Sequence, residues 1–383
     1  MRRCADDVAR IYARIVDLLR GLDDATLLEM GYPARTLEFA RDVWPLPNLT
    51  IARVDMIQSP DGFRAIECNA DTPAFVMETH RMNGALCAEF GFDDPNADAE
   101  QHLQKALQSA VRASIAYLAR PCDGTPYVAF TAFRNAPEDR ETTRYQRTLA
   151  AGIAEIDTAF VPLDELRIDE DALYDASGRR IDVLFRLWPI ETFAKERDPE
   201  SGAEIGSMLF DLVLRRHVAL INPPTGFLLQ SKAVQAVVWG LYEAGTFFDA
   251  VEREAIARSF LPAYLDAPPS GDYVAKPVLG REGVSIEIVA GDLRASSIER
   301  TFDEVPMVYQ RYVAMPRVEA RTASGLQMLS ALHTCFVVAG EPTAVGMRLG
   351  GPITDNAAYF LPLGYRRDAR AAADPPITLS TAT

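Results

Sequence analysis

Apolar side chains recur at Val8, Ile11, Tyr12, Ile15, Leu18 and Leu19, the spacing of one helical face, so an amphipathic helix is predicted over 5–20, closed by Gly21. After Pro45-Leu46-Pro47-Asn48 the pattern changes to alternation. Residues 49–57 and 63–69 alternate on either side of Ser59-Pro60-Asp61-Gly62, which reads as a β-hairpin. A long amphipathic helix is predicted over 99–119, a buried strand over 127–133, a helix over 142–154 and another buried strand over 181–187. A boundary falls near Ile221-Asn222-Pro223-Pro224-Thr225-Gly226. Helices over about 230–244 and 249–260 follow, then strands over 273–276, 285–290, 308–313 and 333–338. Such alternation of strands and helices predicts an α/β (α+β) class. The sequence contains no internal repeat, and its small, polar tail from Ala369 is predicted to fray.

Composition narrows the function. The 383 residues are enough for two or three domains with a large core. With 39 Lys+Arg against 54 Asp+Glu the formal charge is −15, which argues against nucleic-acid binding and permits a cationic substrate. The five cysteines are odd in number and form no C-x-x-C pair, so neither a disulfide scaffold nor a thiolate zinc site is expected, and a reducing compartment is. The start, MRRCADDVARIYARI, has no pure apolar core, and no apolar run approaches the ~20 residues of a membrane helix. A soluble, cytoplasmic protein without nucleic-acid or membrane partners is expected.

Two constellations carry candidate chemistry. Arg53 and Asp55 are two apart and share one face of the first hairpin strand, as Glu67 and Asn69 do on the second. Pairing the strands would bring a cation, two carboxylates and an amide to one patch. Hard oxygen ligands of this kind suit Mg²⁺, and the arginine suits a phosphoryl group. A solvated face of an edge hairpin, with a surface ion pair worth ~0–1 kcal/mol, explains the same spacing.

The second constellation is cationic. Lys276 lies on a predicted strand that turns through Gly280-Arg281-Glu282-Gly283, a loop whose backbone would approach phosphates or simply close a hairpin. Lys232 opens a predicted helix, and Arg348 lies inside the apolar, glycine-rich stretch Gly346-Met347-Arg348-Leu349-Gly350-Gly351, where it meets an anion or a buried acid. The four histidines, His80, His102, His217 and His333, have no metal-like spacing and read as structural.

Taken in order, the segments ARVDM, GFRAIECNADTPAFVMET, PEDRETTRY, DVLFRLWPIE, LINPPTGFLLQSKAV, YVAKPVLGREGVSIEI, VYQRYV and AVGMRLGGPITDN resemble the glutathionylspermidine synthase-like ATP-grasp ligases. They span about residues 50–365. The resemblance implies an ATP-grasp fold preceded by a pre-ATP-grasp region, in a short form without the amidase domain. Residues 1–225 would hold the substrate and metal region, 226–368 the nucleotide region, and 369–383 a flexible tail. The implied activity is ATP-dependent ligation of an acid to an amine through an acyl phosphate. At matching positions Asp55, Glu67 and Asn69 would hold Mg²⁺, and Arg53 and Arg281 would serve catalysis. Lys232, Lys276, Gly283, Gln310 and Arg348 would bind ATP, while Thr72, Glu138 and Asp139 would meet substrate. Trp188 and Glu191 match the family's W-x-W-E segment, with Ile190 replacing the second aromatic.

The departures bear on substrate. Pro73-Ala74-Phe75 puts small and apolar groups where the glutathione-using enzyme has hydroxyl and thiol groups, so a different, more apolar acid is expected, with a peptide or other small carboxylate and an amine such as a polyamine as partners. Phe75 as core is the alternative. Gln230-Ser231-Lys232 replaces the usual S-N-K, and Arg311 follows Gln310. A rival reading is a catalytically inactive relative that binds nucleotide or regulates. Retention of Arg53, Asp55, Glu67, Asn69, Lys232 and Lys276 argues against it, because an inert site has no need of all six.

Overall fold

The computed structural model describes residues 1–297 and 305–366; the tail from Ala369 lies outside them. The amphipathic start forms the helix Arg2–Arg20, with Val8, Ile11, Tyr12, Ile15 and Leu19 buried. The predicted hairpin forms as β1 (Ile51–Ser59) and β2 (Gly62–Asn69). Its register sets Arg53 opposite Asn69 and Asp55 opposite Glu67, followed by a bulge between Asp55 and Met56.

Next come β3 (Tyr127–Thr131), β4 (Asp157–Phe160), the small ribbon β5 (Arg167–Ile168) and β6 (Leu173–Tyr174), then β7 (Val183–Arg186) and β8 (Ala219–Ile221). Strands β4-β3-β7-β8 make a parallel sheet whose apolar runs are buried, as helix-covered parallel strands require. Strands β9 (Ala263–Tyr264), β10 (Tyr273–Pro277), β11 (Glu287–Ala290), β12 (Leu293–Ser296) and β13 (Met307–Arg311) build an antiparallel sheet ordered β12-β11-β10-β13-β9. The chain then returns to the first hairpin. Strands β14 (Arg317–Thr322), β15 (Gly325–Val338), β16 (Glu341–Gly350) and β17 (Tyr359–Leu361) complete a sheet ordered β17-β16-β15-β1-β2, with β14 also on β15. The class is mixed α/β, as predicted.

This topology removes the edge-hairpin alternative for Arg53 and Asp55. β1 is an interior strand between β15 and β2, and residues 51–57 are buried. Other predicted elements shift. The helix expected over 142–154 is Pro137–Ala150, with Pro137 in its first turn and Glu138 and Asp139 beside it. The helix expected over 230–244 breaks at Ser231, giving Pro224–Gln230 and Ala233–Ala244. The strand expected over 333–338 is only the end of β15, whose first half alternates between exposed and half-buried positions. The helices Asn83–Phe90 and Ile205–Leu214 were not predicted. No described helix is long and apolar enough to cross a membrane.

Phe75 belongs to the core, which corrects its assignment to an apolar substrate pocket. It is 8% exposed, its ring meets Phe360 edge-on at 5.4 Å, and its backbone is left-handed with φ of 75°. Gly346 makes room for it: a Cβ there would lie 2.8 Å from Phe75 Cε1 and 2.6 Å from Thr79 Cγ2. Gly346→Ala is therefore expected to destabilise the fold by about 1–3 kcal/mol through overpacking. Unchanged chemical-unfolding midpoints would refute this.

Candidate active site

The two antiparallel sheets of β1 and β10, the segments that follow β3 and β7, and the loop 280–284 line a cavity of about 1020 Å³. Of the thirteen predicted site residues, twelve line it: Arg53, Glu67, Asn69, Thr72, Glu138, Asp139, Lys232, Lys276, Arg281, Gly283, Gln310 and Arg348. Asp55 stands behind this wall. Residues scattered over some three hundred positions of sequence thus converge on one space.

The β1–β2 register explains the first cluster. Asp55 accepts two hydrogen bonds from Arg53, each 2.8 Å, in a fork whose side chains are 0% and 8% exposed. Arg348 reaches the same carboxylate at 3.2 Å from β16. Asn69 Nδ2 donates to Glu67 at 3.1 Å and faces Asp55 Oδ2 at 3.4 Å. Burial and the Arg53 guanidinium both weaken the charged form of Arg348, so its pKa is lowered. Arg53 is the opposite case, because its own burial is outweighed by Asp55. One buried carboxylate therefore holds two guanidiniums, leaving cationic charge at the cavity wall.

Lys232 and Lys276 reach Glu67 from different elements. Lys232 sits at the start of the helix Ala233–Ala244, 3.2 Å from Glu67, and donates to the carbonyl of Gly280 at 2.7 Å. Lys276 projects from β10 and donates to Gln310 Oε1 at 2.8 Å and to the carbonyl of Ile66 at 3.2 Å. Burial would raise Glu67, but Lys232 and Lys276 hold its carboxyl well below the usual range. Burial lowers Lys276 to about 8, with Glu67 opposing and Lys232 reinforcing the shift.

Arg281 is held rather than free in its loop. It donates to Glu191 at 2.6 Å and to the Thr72 hydroxyl at 2.9 Å, and lies 3.7 Å from Asp71. Glu282 and Gly283 take left-handed backbone, and a Cβ at Gly283 would come within 2.7 Å of the Thr354 carbonyl. Glu138 and Asp139 open the helix Pro137–Ala150 and line the same cavity. Burial, followed by Glu282 and Glu138, pushes Asp139 up to about 6. Beside them Trp188 packs edge-on against Phe133, centroids 4.3 Å apart.

Sequence reasoning missed the supporting pair Asp71 and Arg186. Asp71 pairs with Arg186 at 2.5 Å, both side chains 0% exposed, and accepts from the Ile190 amide at 3.1 Å. Gln230 Oε1 accepts from the amides of Ala70 and Asp71 at 2.8 and 3.0 Å, so the Gln230-Ser231-Lys232 departure has a structural task. The available signal was that Asp71 directly follows the candidate metal strand.

The donor set bears on both Mg²⁺ and a nucleotide. Among the described residues no cluster of three or more His, Cys, Asp or Glu is placed to hold a metal ion. The candidate set is instead two carboxylates and an amide, Asp55, Glu67 and Asn69, with the Asp55 oxygens already on arginines. Hard oxygens with few protein ligands fit Mg²⁺ that is completed by waters and phosphates. Arg53, Lys232, Lys276, Arg281 and Arg348 lining one cavity fit a polyphosphate.

Known proteins share this arrangement of elements. Residues 1–365 match the family described as glutathionylspermidine synthase pre-ATP-grasp. The chain belongs to that family. Relatives of this pre-ATP-grasp chain include the bifunctional glutathionylspermidine synthetase/amidases of Escherichia coli (strain K12) and Shigella flexneri. Each is 21% identical over 297 residues, covering 72% of this chain and 44% of the relative. The chain thus spans less than half the length of these curated relatives. A glutathione synthetase-like effector from Globodera pallida, in its apo form, shares the fold with a TM-score of 0.50 at 12% identity, over 92% of this chain and 86% of the other. A putative gamma-glutamylcysteine synthetase from Methylobacillus flagellatus KT aligns with a TM-score of 0.47 at 12% identity, over 93% of this chain and 88% of the other.

Proposed function

We propose that this glutathionylspermidine synthase-family chain is an ATP-dependent carboxylate–amine ligase. The observation that carries the reading is the cationic wall of Arg53, Lys232, Lys276, Arg281 and Arg348 beside Glu67 and Asn69 in one cavity. Phosphoryl transfer needs positioning and charge neutralisation more than a nucleophilic side chain. In this reading 1–225 supply the pre-ATP-grasp, acid and metal side and 226–368 the nucleotide side, tied together by the pairing of β15 with β1. ATP as co-substrate goes with a cytoplasmic setting.

The substrate carboxylate attacks the γ-phosphorus of ATP, the bond to the ADP oxygen breaks, and an acyl phosphate forms. The amine nitrogen then attacks the acyl carbon, phosphate leaves, and the nitrogen gives up a proton. Lys232 and Lys276 hold the phosphates, with Gly283 in the loop over them. Gln310 supports Lys276. Arg53, Arg281 and Arg348 offset charge on the transferring group. Asp55, Glu67 and Asn69 would hold Mg²⁺, which supplies charge neutralisation on the phosphates when bound. Glu138 and Asp139 draw the ammonium of the amine, a polyamine in the preferred case, and Thr72 fixes Arg281 toward the acid. Ala74, Leu187 and Trp188 at the cavity favour an acid more apolar than glutathione.

The two perturbed groups set a pH window. Asp139 gains its charge as pH rises through about 6, and Lys276 loses its charge as pH rises through about 8. kcat/KM for the amine should therefore fall below about pH 6, and kcat/KM for ATP above about pH 8, each limb approaching tenfold per unit. A flat ATP profile through pH 9 would exclude Lys276 from phosphate binding.

The function itself is tested by incubating the protein with ATP, Mg²⁺ and a panel of acid and amine pairs. The expected result is a product whose mass equals acid plus amine minus water, with equimolar ADP and phosphate. Phosphorylated product without condensation would indicate a kinase and overturn the reading. Efficient coupling of glutathione to spermidine would overturn the apolar-acid part alone.

A further inference from the structure

We propose that Gln235 and Gln310 are positioning residues that fix the Lys276 ammonium in the cavity, through a directed chain of buried amides. The inference rests on the reading that Lys276 meets nucleotide phosphate. Gln310 on β13 accepts from Lys276 Nζ at 2.8 Å, and its own Nε2 donates to Gln235 Oε1 at 2.6 Å. The three side chains belong to residues only 5%, 1% and 2% exposed for Lys276, Gln310 and Gln235, so water does not substitute for these bonds. Gln235 lies one helical turn beyond Lys232 on the helix Ala233–Ala244. One helix thereby places both ammoniums, Lys232 directly and Lys276 through two amides.

The direction of the chain is set at its cavity end. An ammonium only donates, so Gln310 must turn its oxygen toward Lys276 and its nitrogen toward Gln235. Gln235 must then present oxygen to Gln310. Taken alone, Gln235 gains from the opposite orientation: its nitrogen would donate to the Ile66 carbonyl at 3.2 Å and its oxygen would accept from the Glu67 amide at 3.3 Å. Turned that way, however, its nitrogen faces Gln310 Nε2 at 2.6 Å, donor against donor. The charge on Lys276 outweighs the two backbone groups, since a charge-assisted bond is stronger than a neutral one. Beside the Tyr12 hydroxyl, with which it also hydrogen-bonds, the Gln235 amide stands between two exclusive sets of partners, and its orientation depends on what Lys276 offers to Gln310.

The test compares Gln235→Met, Gln310→Met and the double variant with the wild type. ATP affinity is read by calorimetry, and the rate of Lys276 acylation by an amine-reactive ester is read by peptide mass spectrometry. Each single variant should weaken ATP binding by about tenfold, the equivalent of one lost hydrogen bond, and change the acylation rate. The double variant should be no worse than Gln310→Met, because both act through the same amide. Unchanged Lys276 acylation in Gln235→Met, or single-variant effects that multiply, would overturn the proposal. Should Gln235→Met fail to fold, Gln310→Met decides alone, and unchanged acylation there overturns it. If the wild type binds no ATP but Gln235→Met still alters acylation, the nucleotide reading fails and the positioning chain stands. If the wild type binds ATP and acylation is unaltered, the nucleotide reading stands and the positioning chain fails.

Discussion

Replacing Asp55 by Asn is expected to lower ligase turnover on the order of 100- to 1000-fold, the scale seen when a preorganised charge partner is removed. The carboxylate accepts the Arg53 fork at 2.8 Å twice and Arg348 at 3.2 Å. Asparagine keeps the shape, but its amide nitrogen would face guanidinium donors, and the two cations would lose their shared counter-charge. One candidate oxygen ligand for Mg²⁺ would go as well. The variant should also unfold more readily, because breaking a buried pair leaves an uncompensated charge. Turnover is followed as Mg²⁺-dependent ADP release, with unfolding midpoints recorded in parallel. Near-normal turnover in Asp55→Asn would remove both proposed roles.

Asp71→Asn is expected to cost about 3–5 kcal/mol of stability, the usual penalty for removing one partner of a fully buried ion pair. Arg186 on β7 has its pairing with Asp71 at 2.5 Å, and both side chains are 0% exposed. The same carboxylate accepts from the Ile190 amide and lies 3.7 Å from Arg281. The loss should therefore appear twice, as a lower midpoint in urea and as weaker holding of Arg281. Unchanged urea midpoints would show that Arg186 is compensated by other groups.

Part of this site was legible in strand period, while the places of Thr72, Glu138, Asp139, Lys232, Gly283 and Gln310 followed from the family resemblance and not from spacing. Alternation alone put Arg53 with Asp55 on one strand face and Glu67 with Asn69 on another, and the hairpin register brings the two pairs together. The long return of the chain was not legible. Nothing local in the segment 325–350 announces that β15 and β16 rejoin β1, since strand partners distant in sequence leave no periodic trace. Phe75 illustrates the same limit: its neighbours Phe360 and Gly346 are nearly three hundred residues away, so core and pocket could not be told apart. Gln235 and Asp71 escaped notice for a related reason, because a side chain that acts through another has no motif of its own.

Activation of the acid by phosphorylation can be followed directly with an isotope. An acid substrate labelled with ¹⁸O in its carboxylate is turned over with ATP, Mg²⁺ and amine, and the released phosphate is analysed by mass spectrometry. The attacking carboxylate oxygen stays on phosphorus when the acyl–oxygen bond breaks, so each phosphate should carry one atom of ¹⁸O. Amide formation with unlabelled phosphate would contradict the acyl-phosphate mechanism and the role given to the cationic wall.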